Sequence, residues 1–275
     1  MKIAAFFLVF TAIILAQEDS VYTSFSGFYT GGQVEPGRAS NSYSGYLTLG
    51  YGAAGITGGY DNLKIDSVGW DYTQKSYVIA PYYYFGSFFV KAAYMGISGD
   101  FNLYPSSTGG VTYNFATDKT KIYSFELGNF GYYYTAGLGY THSKLTGYKH
   151  LFVDQYTARY QFVPDYRWLF GVRPTHTSTT DGRKYFSCMF RANYLVIPYL
   201  VAKASVNIGN RMYYFDNDLL TVFNQDQTQN KNFGLELDYY MGKFVLQGAW
   251  QYNEFEKQPT RYFILGVKYG TYIGF

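Results

Sequence analysis

The sequence contains a single cysteine, Cys188, and only three histidines, His142, His150 and His176. One cysteine excludes an intramolecular disulfide framework and any cysteine-based zinc or iron–sulfur centre. Charged residues make up 15% of the chain, below the roughly 25% of a typical soluble domain. The net charge of +3 is small and dispersed, which argues against nucleic-acid binding. We therefore expect no cofactor, no metal and no nucleic-acid partner.

Long apolar runs are also scarce. The one such stretch, residues 3–16, is shorter than the about 20 residues that a membrane-spanning helix needs. It follows the basic Met1-Lys2 and precedes the polar residues 17–20, a layout typical of a secretory signal peptide. We predict a signal peptide over residues 1–16 and one mature domain over residues 17–275. The alternative is an uncleaved anchor helix.

Aromatic residues and glycine are abundant instead: 34 Tyr, 24 Phe, 3 Trp and 30 Gly. Disordered chains are poor in aromatic residues, so this composition excludes disorder. Aromatic residues and glycine are also weak helix formers, which argues against a helical bundle. The composition favours an all-β protein.

Apolar and polar residues alternate along much of the chain with the period of two that is typical of a strand with two different faces. In residues 152–162, for example, Phe152, Tyr156 and Tyr160 share one face while Gln155 and Arg159 share the other. The pattern predicts about fourteen strands, with twelve as the alternative. They lie near residues 20–30, 42–51, 54–61, 72–84, 88–98, 119–128, 131–142, 152–163, 167–177, 184–194, 199–211, 230–240, 243–253 and 261–275.

The predicted connections alternate between short turns and longer loops, and many predicted strands reach ten residues or more. A tilted strand that crosses a bilayer needs about 9–11 residues. An up-and-down barrel in an outer membrane has tight turns at its periplasmic end and longer loops outside. We therefore predict one transmembrane up-and-down antiparallel β-barrel. The competing interpretation is a secreted soluble β-sandwich or barrel that binds sugars through exposed aromatic residues.

The carboxyl end of the chain has an apolar ladder that includes Tyr269 and Ile273 and stops on the aromatic Phe275. This end resembles the last strand of bacterial outer-membrane β-barrels, in which a C-terminal Phe is the signal for assembly. The resemblance implies that the barrel assembly machinery reads Tyr269, Ile273 and Phe275. It also implies a location in the bacterial outer membrane, in contact with outer-membrane lipid. It concerns the porin-like class as a whole and no particular family, and the oligomeric state stays open.

Charged residues on the polar parity of the strands are predicted to line the lumen. They are Lys91, Glu126, Arg159, Arg167, Arg173, Arg191, Lys203, Arg211, Glu236, Asp238 and Lys268. Bases outnumber acids in this set, and walls of Arg and Lys favour anions in pores. The leading hypothesis is therefore a pore for small, possibly anionic, solutes. The alternative is a closed structural or adhesion barrel, or a secretion-system component without conductance, in which the bases pair with acids and inward tyrosines fill the lumen.

A third hypothesis is a membrane-embedded lipid hydrolase that uses His176 and Ser178, which share the lipid-facing side of one predicted strand. The segment resembles the H-x-S motif of outer-membrane phospholipase and of lipid A deacylase. Those motifs continue with Asn, whereas Thr179 follows here, and spacing names no acidic third partner. The acidic segments 216–218 and 224–226 offer oxygen ligands for Ca²⁺, but they lack the glycine and the terminal Glu of an EF-hand. We predict that they form part of a solvated external loop over residues 212–229.

Overall fold

A computed structural model describes residues 20–34, 38–67, 69–104, 113–147, 150–216, 218, 220–223, 227–257 and 259–274. Its strands are β1 (Ser20–Val34), β2 (Arg38–Tyr51), β3 (Ala54–Ser67), β4 (Trp70–Phe85), β5 (Phe88–Leu103), β6 (Tyr113–Phe130), β7 (Tyr134–Thr146), β8 (Leu151–Phe162), β9 (Trp168–Thr179), β10 (Lys184–Ile197), β11 (Leu200–Arg211), β12 (Tyr214–Asp216), β13 (Thr221–Phe223), β14 (Gln229–Met241), β15 (Phe244–Phe255) and β16 (Pro259–Gly274). The predicted signal peptide and Phe275 lie outside the described residues. No helix that could span a membrane is found in the part described.

All strands except β12 and β13 form one closed antiparallel barrel. Each strand pairs with its neighbours in sequence, β11 pairs with β14, and β1 pairs with β16 to close the sheet. Closure leaves no strand edge unpaired, which is the condition for a sheet to cross hydrocarbon. The predictions of an all-β fold and of a barrel with fourteen strands are confirmed, and the alternative of twelve strands is wrong.

The period-two pattern of the sequence becomes an outer face of large side chains and an inner face of small or polar ones. On β6, Tyr123, Phe125 and Leu127 are exposed, whereas the intervening Ser124 and Glu126 are buried inside the barrel. Successive side chains of a strand point to opposite faces of the sheet, so one parity covers the whole outer wall.

Some large inward rings fit only because a neighbouring strand has glycine. Tyr82 of β4 lies over Gly55 of β3, where a Cβ atom would come within 2.1 Å of the tyrosine Cζ. Tyr46 of β2 covers Gly59 in the same way, with a Cβ within 2.3 Å of its Cδ1. Gly55 and Gly59 therefore seat aromatic rings inside the barrel.

The barrel strands are longer than the sequence pattern indicated. Residues 31–40 and 62–71 fall between predicted strands and are expected to be long loops, but residues 31–34, 38–40, 62–67 and 70–71 belong to the ends of β1 to β4. The predicted strict alternation of long and short connections is therefore wrong. The outer ends of β3 and β4 carry polar residues on their outward face, as Lys64 opposite Thr73 illustrates, so the outward apolar parity that marks the rest of these strands stops there.

Candidate functional site

The connection between β11 and β14 folds into the barrel instead of extending into solvent. Within it, β12 and β13 pair as a hairpin through Tyr214 with Phe223 and Phe215 with Val222. Side chains from Met212 to Asp216, and Leu220, are buried. The prediction of a solvated loop is therefore wrong for residues 212–216 and Leu220, whereas residues 224–226 lie outside the described part of the chain. We refer to residues 212–223 as the inner hairpin.

A bulge at the end of β11 directs the chain inward. The register between β11 and β14 shifts between Ile208 and Arg211. Gly209 lies there at a φ of +96°, and a Cβ atom at this position would be 2.5 Å from the carbonyl oxygen of Phe186. Tyr213 and Leu220 also have positive φ, which is unusual for bulky residues. The hairpin thus has a strained backbone that its packing must hold in place.

One side of the inner hairpin is apolar and packs on an apolar part of the inner wall. Phe215 and Leu220 join a buried cluster with wall residues that include Val78, Met95 and Ile122. At the hairpin entry, Met212 and Tyr213 pack in a second cluster with Leu151 and Val153 of β8. These contacts cover apolar side chains that otherwise face a water-filled lumen.

The Gln155 side chain of β8 binds the hairpin backbone as a neighbouring strand would. Its Nε2 donates to the Phe215 carbonyl at 2.9 Å, and its Oε1 accepts from the Phe215 N–H at 3.0 Å. A cavity of about 20 Å³ lies between Tyr214 and Phe215 of the hairpin and the wall residues around Glu126 and Thr157. The hairpin is therefore packed closely against the β6–β9 wall.

Two carboxylates of the inner hairpin form ion pairs with basic residues of the barrel wall. Asp218 lies 2.8 Å from Arg159 Nη1 and 3.3 Å from Lys91 Nζ, and it also pairs with Arg173. Asp216 accepts from Arg173 Nη1 at 2.9 Å. Arg159 in turn pairs with Glu126 on β6. These contacts join β5, β6, β8 and β9 to the hairpin through one buried charge network.

The network holds Asp218 in its ionised form. Burial raises the pKa of the Asp218 carboxyl, but the positive charges of Arg173, Arg159 and Lys91 outweigh burial and lower it below the ordinary 3.8. A carboxylate with three basic neighbours is favoured in the charged state even where water is scarce.

A second charge cluster lies on β11 and β14. Lys203 Nζ is 2.5 Å from the Asp238 carboxylate and also pairs with Glu236, which accepts from Gln247 Nε2. The register places Lys203 directly opposite Glu236. This arrangement neutralises another part of the basic wall without using the hairpin.

The structure places the other predicted lumen residues differently. Arg211 is buried at the hairpin entry, where it donates to Gln229 and lies over the Tyr214 ring. Arg191 is half-buried on the inward parity, opposite Gly171. Lys268 is exposed on β16. Arg167 is not part of the wall, because it precedes β9 in a short connection and donates to the Tyr166 hydroxyl at 2.9 Å.

His176 and Ser178 lie on the outer face of β9, His176 exposed and Ser178 half-buried. The register places Asp154 opposite Ser178 and His142 opposite Asp154. Asp154 accepts from Tyr140 at 2.6 Å and lies 2.9 Å from His142 Nδ1. No hydrogen bond joins His176 to Ser178 within the described residues. His142 is two strands from Ser178, about 10 Å away at the usual strand spacing, too far to act as its base.

The candidate Ca²⁺ ligands are engaged otherwise. Asp216 and Asp218 pair with arginines, whereas residues 224–226 lie outside the described part of the chain. Among the described side chains no group of three or more His, Cys, Asp or Glu is arranged to hold a metal ion. The acidic residues of this connection contribute charge to the hairpin contacts.

Known proteins resemble this chain in fold. No protein-family model matches it, and no curated protein sequence matches it. Solved structures of bacterial outer-membrane barrels do match it in fold. The CymD monoaromatic hydrocarbon channel has a TM-score of 0.60 at 8% identity, over 96% of this chain and 92% of that chain. A Pseudomonas aeruginosa FadL homologue gives 0.54 at 8% identity over 94% and 91%, and the Pseudomonas putida toluene transporter TodX gives 0.53 at 9% over 94% and 91%. At such identities the likeness concerns the fold.

Proposed function

We propose that the protein is an outer-membrane pore for small solutes and that the inner hairpin restricts its lumen. The outward apolar face and the closed backbone suit a bilayer. The barrels that it resembles include channels for monoaromatic hydrocarbons, which supports transport over catalysis. Export through a signal peptide and assembly by the barrel machinery belong to the same proposal.

The observation that carries the proposal is the pairing of Asp216 and Asp218 with bases of the barrel wall. The described residues of the inner hairpin are joined to the barrel by side-chain contacts and not by a strand ladder, which would allow the hairpin to be displaced without opening the barrel. A barrel that served only as a structural wall would need no charged segment of this kind. The hairpin therefore acts as a constriction that sets the size of the open path.

The class of solute depends on the inner-wall residues that the hairpin leaves uncovered. With the hairpin in place, Lys91, Arg159 and Arg173 are neutralised, so the inner wall is less basic than its sequence indicated. Inward rings such as Tyr46 and Tyr82 add apolar surface. We propose passage of small solutes with at most a weak preference for anions, and the preference grows when the hairpin is displaced.

Conductance of the purified protein in a planar bilayer tests this function. The wild type should give small stepwise channels, and Asp216→Asn/Asp218→Asn should give larger or longer openings because the hairpin loses its ion pairs. The matched control is Asp66→Asn/Glu254→Gln, which removes two acids of exposed ion pairs outside the lumen and should behave as wild type. Silence of both the wild type and the hairpin variant over many insertions would establish a closed barrel instead.

A further inference from the structure

Four exposed lysines lie together on the outer face of β4, β6 and β7, near the end of the barrel where the inner hairpin enters. They are Lys75, Lys119, Lys121 and Lys144, and we call them the lysine patch. The register places Lys121 directly opposite Lys144. Lys75 and Lys119 both lie opposite Ser98 of the intervening β5.

Among the described residues no ion pair joins the lysine patch to an acid, although Asp100 lies on the same outer face of β5, two residues from Ser98. Two other outward bases at this end are paired: Lys64 lies 2.8 Å from Asp66, and Lys231 lies 3.7 Å from Glu254. No described acid is within salt-bridge distance of the four lysines, and Asp154 on the same face is engaged by His142 and Tyr140. Like charges directly opposite each other destabilise a sheet, so Lys121 and Lys144 repel unless an anion lies between them.

A tyrosine band fixes the depth of the patch. Directly below it, the rings of Tyr94 and Tyr123 are 5.2 Å apart, and those of Tyr140 and Tyr156 are 5.3 Å apart. Tyrosine prefers the membrane–water interface, so the next residues outward lie at the level of the lipid headgroups. Lys144 is further positioned by Phe152, whose ring lies 5.6 Å from its Nζ.

We propose that the lysine patch binds the phosphate of an anionic lipid in the outer leaflet, with Lys121 and Lys144 on either side of it. The positive charge of the lysine patch complements that of a phosphate, and the patch lies at the depth of the lipid headgroups. The tyrosine band below it offers an apolar surface to acyl chains. The site rests on the membrane placement proposed above and is independent of whether the lumen conducts.

Native mass spectrometry of the detergent-solubilised barrel tests the site. The probe is lipid A with two phosphates, compared with the same lipid after its phosphates are removed. Lys121→Gln/Lys144→Gln should weaken binding of the phosphorylated probe by roughly 30-fold, since each base near a membrane surface adds about five- to sixfold. The matched control is Lys184→Gln/Lys231→Gln, which removes two exposed bases from β10 and β14.

Binding that is equal for both lipids, or an equal loss in both double variants, would overturn the site. Displacement of the lipid by an equal concentration of inorganic phosphate would show that a soluble anion is the ligand and would also overturn it. Lys121→Arg/Lys144→Arg should retain binding, which separates loss of charge from loss of folding. Heat-modifiable gel mobility confirms that each variant is folded, and conductance should not change in any of them.

Discussion

The Asp218 carboxylate lies 2.8 Å from the Arg159 guanidinium, although Asp218 belongs to the inner hairpin and Arg159 to β8. The side chain of Arg159 is only 8% exposed and that of Asp218 is 17% exposed. Removing one partner of a buried pair leaves an uncompensated charge and costs about 3–5 kcal/mol. The position of the hairpin therefore depends on the bases of the wall as much as on its own residues.

Arg173→Leu should release the inner hairpin, because Asp216 and Asp218 both lose their shared partner. We expect chymotrypsin to cleave near Tyr214 and Phe215 in this variant, since both residues are buried in the native protein. The measurement is limited proteolysis of the folded barrel. Arg191→Leu is the control on the same wall, because Arg191 lies opposite Gly171 and no ion pair joins it to Asp218 in the described part of the chain.

The Gln155→Leu variant tests the attachment of the hairpin in the same way without removing a charge. It removes the two hydrogen bonds to the Phe215 backbone and leaves a buried N–H and C=O without partners, at a cost of about 1–3 kcal/mol. Cleavage should again increase, although less than in Arg173→Leu. Resistance to cleavage in both variants would mean that apolar packing alone holds the hairpin.

Protonation of Asp218 should release the hairpin and increase the conductance of the pore only at strongly acidic pH. The pKa of Asp218 lies below its ordinary 3.8, so its ion pairs contribute full stability above that value and lose it as the pH falls through the lowered pKa. We expect conductance to stay constant from neutral pH down to about pH 4 and to rise below it. A rise centred well above pH 4 would show that another group controls the hairpin.

Gly209→Val should disturb the bulge that directs the chain into the barrel. The substitution adds a side chain where φ is +96° and where a Cβ atom meets the Phe186 carbonyl oxygen at 2.5 Å. A strained backbone of this kind costs about 1–3 kcal/mol. The temperature at which the barrel unfolds, measured by the change in gel mobility, should fall. The control is Gly248→Val, since nothing lies within 4 Å of a Cβ atom there; an equal loss in both would refute a special role for Gly209.

The barrel could be predicted from the sequence because its outer face meets lipid, which imposes an apolar parity on every strand. Strand ends whose outward residues are polar, such as residues 62–67, escaped that pattern. The inner hairpin escaped it too, because β12 and β13 have only three residues each and the wall residues that hold them, such as Gln155, are distant in sequence.

A signal for the hairpin was nevertheless present in the sequence. Met95, Ile122 and Val153 are apolar residues on the inward parity, where a water-filled lumen favours polar ones. Such residues indicate that something covers the wall. Gln155 gave no signal, because polar residues are expected on that parity and nothing local shows that it binds a backbone.

Selectivity should follow the position of the hairpin. In the native protein Asp216 and Asp218 neutralise Lys91, Arg159 and Arg173, so the reversal potential in a salt gradient should indicate at most a weak preference for anions. Asp216→Asn/Asp218→Asn should increase that preference, because the bases are then free to attract anions. Arg173→Glu/Arg191→Glu should move the reversal potential toward cations. A cation-selective native pore, or no shift in either double variant, would show that solutes do not pass along the basic wall.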